Sequence, residues 1–159
     1  MSRYASGVTV VSTVHDDLDH AMTASAFTSV SLDPPLVLVC VDKTARFHQA
    51  IAVTRRWGVS VLAEDQADVA RWLATRGRKL EGQLDHIPHR PGALTGSALV
   101  EGALCWVECR TWEMYDGGDH TIVVGQVLGI ELPEKERSRP LMYFRAAYGG
   151  APDVTNGPD

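Results

Sequence analysis

Between Thr23 and Ser31 five of nine residues carry a hydroxyl, and alternation places Thr23, Ser25, Phe27, Ser29 and Ser31 on one side of an extended chain. Fully extended, those ends would stand roughly 26 Å apart, so the segment must bend if its hydroxyls are to meet one small ligand. Hydroxyls and free backbone N–H groups at a bend suit a phosphate and a ring edge, while Ala24 and Ala26 let a flat ring approach the backbone. A solvent-facing Thr/Ser strand is the plainer reading of the same composition.

Two other places carry chemistry of the same kind. Lys43-Thr44-Ala45-Arg46 falls where a strand gives way to a helix, so two cations and the first helical N–H groups could hold a phosphate; capping and surface charge account for the same residues without a ligand. Asp119-His120 follows a Gly-Gly turn, from which an imidazole can project into a cleft and act near neutral pH, although a lone hairpin histidine is often incidental. His86 and His89 are spaced H-x-x-H but lack flanking acidic or cysteine ligands, so a metal site is not expected. Cys105 and Cys109 lie four apart on one strand, about 13 Å between Cα atoms, which is beyond disulfide reach and reads as buried thiols. Neither GxGxxG nor GxxxxGK[ST] occurs, which argues against a Rossmann or P-loop nucleotide site.

The elements that must position these residues are mostly strands. Gly7 to Val14 is rich in β-branched residues and ends at an acidic turn, His15 to Asp19; a second strand runs from about His20 into the hydroxyl segment. Pro34 keeps Asp33 out of helical geometry, and Leu36 to Val41 reads as an apolar strand covered on both faces. Thr44 to Thr54 is expected to be a short helix with Phe47, Ala50 and Ile51 on one side, Trp57 to Ala63 a strand, and Asp65 to Thr75 a helix turning Val69, Ala70 and Leu73 inward. Residues 76–97, punctuated by glycine and proline, read as an excursion over the surface that could form a lid. A long hairpin follows, Leu99 to Trp112 and His120 to Val127 about the turn Asp116-Gly117-Gly118-Asp119, with a last strand at Pro140 to Arg145. About seven strands with two small helices point to a closed or nearly closed barrel.

The 159 residues fit one domain, expected over residues 1–150 with a flexible tail at 151–159, the polar, Gly/Pro-rich makeup of a frayed terminus setting in from Gly149, and such a chain buries roughly 70% of its unfolded surface without staples. A net charge of −5 offers no general attraction to nucleic acid or anionic membrane, so any phosphate site must be local. No apolar run approaches the ~18 residues of a membrane span and no lipidation motif is seen, which makes the cytoplasm the default address.

Taken in order, Ala5 to Val11, the block Met22 to Asp42, Gly58 to Gln66, Gly118 to Thr121 and Leu141 to Phe144 resemble the flavin reductase-like family. The resemblance implies a mainly β, FMN-binding split β-barrel, antiparallel and Greek-key-like, with a few short flanking helices. It also implies a homodimer that oxidises NADH or NADPH, reduces FMN or FAD, and supplies the product to a partner flavin-dependent monooxygenase. By position, Thr23, Ala24, Ser25 and Ala26 resemble residues lining the isoalloxazine, and Ser29 and Ser31 those reaching the ribityl phosphate. Thr44, Ala45 and Arg46 resemble those closing over phosphate, and Cys40, Val41 and Asp42 the strand end beneath. His120 matches the histidine beside the nicotinamide and is the expected catalytic residue; Tyr143, Arg145 and Tyr148 fall in a stretch that borders the same cleft. The alternative is a flavin-binding protein of this fold without free-flavin turnover.

Overall fold

The structure, a computed structural model, describes residues 3–133 and 139–151. Strand β1 (Ser6–Gly7) leads into β2 (Thr9–His15) and β3 (Leu18–Ala24), whose β-branched residues favour the pleated backbone. Asp16 and Asp17 both adopt positive φ, 52° and 58°, giving the two-residue turn whose twist matches a tight hairpin. Next come β4 (Phe27–Leu32), β5 (Pro35–Asp42), α1 (Arg46–Thr54), β6 (Arg56–Val61) and α2 (Ala67–Ala74). The chain ends with β7 (His89–Pro91), β8 (Ala98–Val100), β9 (Cys105–Gly117), β10 (His120–Glu131), β11 (Leu141–Phe144) and β12 (Ala147–Gly150).

Seven strands form one antiparallel sheet in the order β3-β2-β6-β9-β10-β5-β4. Its two edge strands, β3 and β4, are consecutive in the chain with only Ser25 and Ala26 between them, so the sheet must curl until its edges meet. The corner is sealed where Cys40 N donates to Ala26 O at 3.1 Å and Thr9 Oγ1 to Ala24 O at 2.9 Å. Away from that corner β3 pairs only with β2, and the barrel stays split between β3 and the end of β5.

Inside the barrel, Val11, Val39, Val41, Trp57, Val59 and Val123 pack with Phe47 and Ile51 of α1; burying each large aliphatic or aromatic side chain contributes roughly 2 kcal/mol. On the other side of β2 and β3, Ala70 and Leu73 of α2 join Val8, Val10, Leu62 and Leu141. The expected inward faces of both helices are found, except that Val69 is only partly buried.

Three expectations are corrected. Residues 76–97 are not a free excursion: Leu84 and Ile87 are core residues, and β7 and β8 form a docked two-stranded ladder. Strand β5 is sixth of seven and covered on one face only, leaving Leu36, Leu38 and Cys40 half-exposed. The stretch expected to fray from Gly149 begins as strand, since Gly149 and Gly150 pair with Met142 and Leu141 in a sheet of β1, β11 and β12; residues 152–159 of the expected tail lie outside the described residues. No helix among the described residues is long and apolar enough to cross a membrane.

Candidate functional site

The split of the barrel holds a cleft of about 510 Å³. One wall is β3, from His20 to Thr23; a second is the end of β5 with the start of α1, namely Asp42, Thr44, Ala45, Arg46 and Phe47. A third wall runs from Leu73 at the end of α2 through Arg78 to Leu80 and Gln83. The floor is apolar, from Ala21, Met22, Phe47, Leu73 and Ala74, and the rim carries Arg46, Arg76 and Arg78.

The junction of β5 and α1 is built by Asp42. Its carboxylate accepts from Thr44 N at 2.8 Å, from Thr44 Oγ1 at 2.7 Å and from Arg76 at 3.0 Å, while Ala45 N donates to Asp42 O at 3.0 Å. The Thr44 hydroxyl and N–H, with Arg76 behind them, hold the Asp42 carboxyl below the usual carboxylate range. Thr23 Oγ1 donates to Ala70 O at 2.8 Å, which ties α2 to β3 across the cleft floor. Burial, with His15 and Arg46 nearby, holds the His20 imidazole below its ordinary pKa.

The structure thus brings Thr23, Asp42, Thr44, Ala45 and Arg46 together, and the expected bend falls at Ser25 and Ala26, both exposed. His120 opens β10 directly opposite Asp42, with its Nδ1 2.7 Å from Asp119 Oδ1. The remaining expected residues do not line the cleft. Ala24 and Val41 point into the core and Cys40 points outward, as strand alternation dictates. Ser29 and Ser31 lie beyond the bend on edge strand β4. The rings of Tyr143 and Tyr148 meet at a tilt of 53° with centroids 5.2 Å apart and pack against the α2 side of the core, with Arg145 in the turn between their strands. Lys43 turns away from the cleft to bind Asp116 and Gly118 O.

Sequence reading missed His20, Arg76 and Arg78. The signal for the latter pair is the run Arg76-Gly77-Arg78-Lys79 directly after an amphipathic helix, where cations collect beside a helix end. Burial, then Glu108, pushes the Cys109 thiol up to about 12, and burial raises Cys105, so neither is a poised nucleophile. Among the described residues no group of His, Cys, Asp and Glu is arranged to hold a metal.

The comparisons agree with this geometry. The family described as "Flavin reductase like domain" matches residues 1–152. The reductase subunit HsaB of a flavin-dependent monooxygenase from Mycobacterium tuberculosis is 38% identical over 150 residues, covering 94% of this chain and 78% of that protein. The crystal structure of BorF, the flavin reductase component of a bacterial two-component tryptophan halogenase, superposes with a TM-score of 0.88 at 47% identity, covering 96% of this chain and 94% of that one. The NADH:FAD oxidoreductase SgcE6 of Streptomyces globisporus, solved with NAD and FAD fragments, gives a TM-score of 0.88 at 35% identity over 97% of this chain and 90% of that one. On sequence and on barrel geometry alike, the chain belongs to the flavin reductase-like family.

Proposed function

We propose that this protein is an NAD(P)H-dependent flavin reductase whose flavin, FMN or FAD, is held in the split between β3 and β5. The observation that carries the reading is one cleft, in a chain of this family, that joins an apolar floor to a cationic rim. Such a cleft fits a flat ring bearing phosphate: Ala21, Met22 and Phe47 offer contact surface, Arg46 offers charge, and Thr23 and Thr44, whose hydroxyl protons go to Ala70 O and Asp42, offer acceptor oxygens to a ring N–H or ribityl hydroxyl. Bound flavin supplies the acceptor for the nicotinamide hydride, so the chain itself needs no nucleophile or general base.

What the side chains contribute is position. Thr23 fixes the cleft width through its bond to Ala70 O, and Asp42 holds Thr44 and Arg76 at the mouth. His120, beside Asp42 on the next strand, orients the nicotinamide end of the dinucleotide. Two copies of the chain associate, and the reduced flavin serves a partner flavin-dependent monooxygenase; support comes from the roles named for HsaB and BorF and from the bare outer face of β5.

Incubating pure protein with NADH or NADPH and free FMN or FAD, and following nicotinamide absorbance, tests the reading. Flavin-dependent loss of absorbance in catalytic excess supports it. Flavin binding without turnover leaves only the binding protein, and no binding removes the flavin site.

A further inference from the structure

We propose that Arg46, Arg76 and Arg78 form a diphosphate-reading rim, so that the cleft takes dinucleotides in preference to their mononucleotide counterparts. This rests on the flavin reductase reading and names the chemistry that the site selects. Three guanidinium groups from two separate elements meet at one mouth in a chain whose net charge is −5. Asp42 is the one carboxylate among the lining residues, and its oxygens are already engaged by Thr44 and Arg76.

Arg78 is pinned: its guanidinium donates to Thr75 O, Ala21 O and Gln83 Oε1. Arg46 donates to Arg78 O at 2.6 Å, so its charge bears on the Arg78 guanidinium, which burial and Arg46 together hold below its ordinary pKa. Like charges gathered this way repel one another in the bare protein, and the repulsion is relieved when a polyanion sits among them. Three arginines less one carboxylate leave a surplus of two positive charges at the mouth, the complement of a diphosphate bridge rather than of a neutral ring. Arg76 is 88% exposed and makes one bond, to Asp42, so its remaining N–H donors can turn onto a ligand without disturbing the core.

A diphosphate bridge occurs both in FAD and in NADH, and two arms of one experiment separate them. In the first, the affinities of riboflavin, FMN and FAD are measured by flavin fluorescence in the wild type, in Arg76→Gln, and in the wild type at raised salt. FAD is expected to bind about tenfold more tightly than FMN, with most of that advantage lost in Arg76→Gln and at high salt while riboflavin affinity stays put. In the second arm, KM is compared for NADH and reduced nicotinamide mononucleotide. If the bridge belongs to the nicotinamide substrate, FAD and FMN bind alike, and Arg76→Gln raises KM for NADH alone. Absence of discrimination in both arms overturns the diphosphate rim, and riboflavin binding in that case leaves the reductase reading standing. Failure to bind any flavin overturns both.

Discussion

His120 carries the most specific assignment at the level of single residues. It is the first residue of β10, it faces Asp42 across the ladder, and its Nδ1 is 2.7 Å from Asp119 Oδ1, so one ring nitrogen is committed and the other is left for a ligand. Under the proposed function, replacing it with alanine would remove an orienting contact to the nicotinamide without touching the cleft floor, which His120 does not line. His120→Ala should raise KM for NADH about tenfold and change flavin affinity less than about twofold, read by steady-state kinetics and by flavin titration. Equal loss in both would remove the role. His20 makes a prediction of another kind, because its folded pKa lies below the reference value of 6.5, with burial, His15 and Arg46 lowering it against Asp16 and Asp19. Below that reference value the unfolded chain binds a proton that the folded chain resists. The stability associated with neutral His20 is therefore complete above 6.5 and is lost as pH falls through the folded value. The melting temperature should drop between about pH 7 and pH 5, and His20→Asn should flatten that slope. An unchanged slope would show that His20 does not titrate in this window.

Among the elements, β9 shows how an outward position becomes a structural one. Glu108 alternates away from the barrel interior yet is only 8% exposed, because the turn at 92–97 lies over it. Its Oε2 accepts from Leu94 N at 3.0 Å, Thr95 N at 2.7 Å and Thr95 Oγ1 at 2.7 Å, and a Cβ at Gly92 would collide with the same carboxylate. Glu108→Ala strands three donors and should lower unfolding stability by about 3 kcal/mol, seen as a lower denaturant midpoint at unchanged slope. A loss under about 1 kcal/mol would mean that water satisfies the turn equally well. This docking explains where sequence reading stopped. The long strands announce themselves through runs such as Thr9 to Val14 and His120 to Val127, and α1 through the spacing of Phe47, Ala50 and Ile51. A bend between Thr23 and Ser31 was legible because an extended segment could not gather its hydroxyls, but its place at Ser25 and Ala26 was not, and of those hydroxyls only that of Thr23 lines the cleft. Residues 76–97 were not, since the punctuation of Gly77, Gly82 and Gly96, all at positive φ, looks the same in a floating loop and a docked one. Docking there depends on distant partners, such as Gln83 binding Asp19 O and Arg78 binding Ala21 O, and a three-residue strand such as β7 is too short to carry a period. Two arginines of the cleft rim, Arg76 and Arg78, were lost in the same stretch, whereas Arg46, at the strand-to-helix junction, was found.

At the scale of the whole molecule, the outer face of the sheet and the cleft are one continuous surface. Cross-strand register sets Leu38 beside Val124 and Thr28, and Cys40 beside Ile122, which in turn faces Tyr115. These residues alternate with Val39, Val123 and Met114, which point into the barrel. The row Cys40, Ile122 and Tyr115 is apolar across three strands, while the neighbouring pair Leu38 and Val124 is bounded by Thr28 on β4 and Glu113 on β9. Tyr115 is 53% exposed, and Val30 and Leu32 at the β4 edge are exposed as well. A contiguous apolar row of this kind suits an isologous contact with a second copy, each patch meeting its own counterpart. The row also continues in register from Cys40 and Ile122 to Asp42 and His120, so a copy seated there stands beside the cleft mouth of its neighbour. Light scattering on eluting protein should therefore give twice the chain mass. Leu38→Lys, an outward change on a half-exposed position, should give the single-chain mass with an unaltered far-ultraviolet dichroism spectrum. Because the partner would shield that mouth from water, the single chain should bind flavin about tenfold more weakly than the pair. A single-chain mass for the wild type would sink the association, and equal flavin affinity in the two species would break its link to the site.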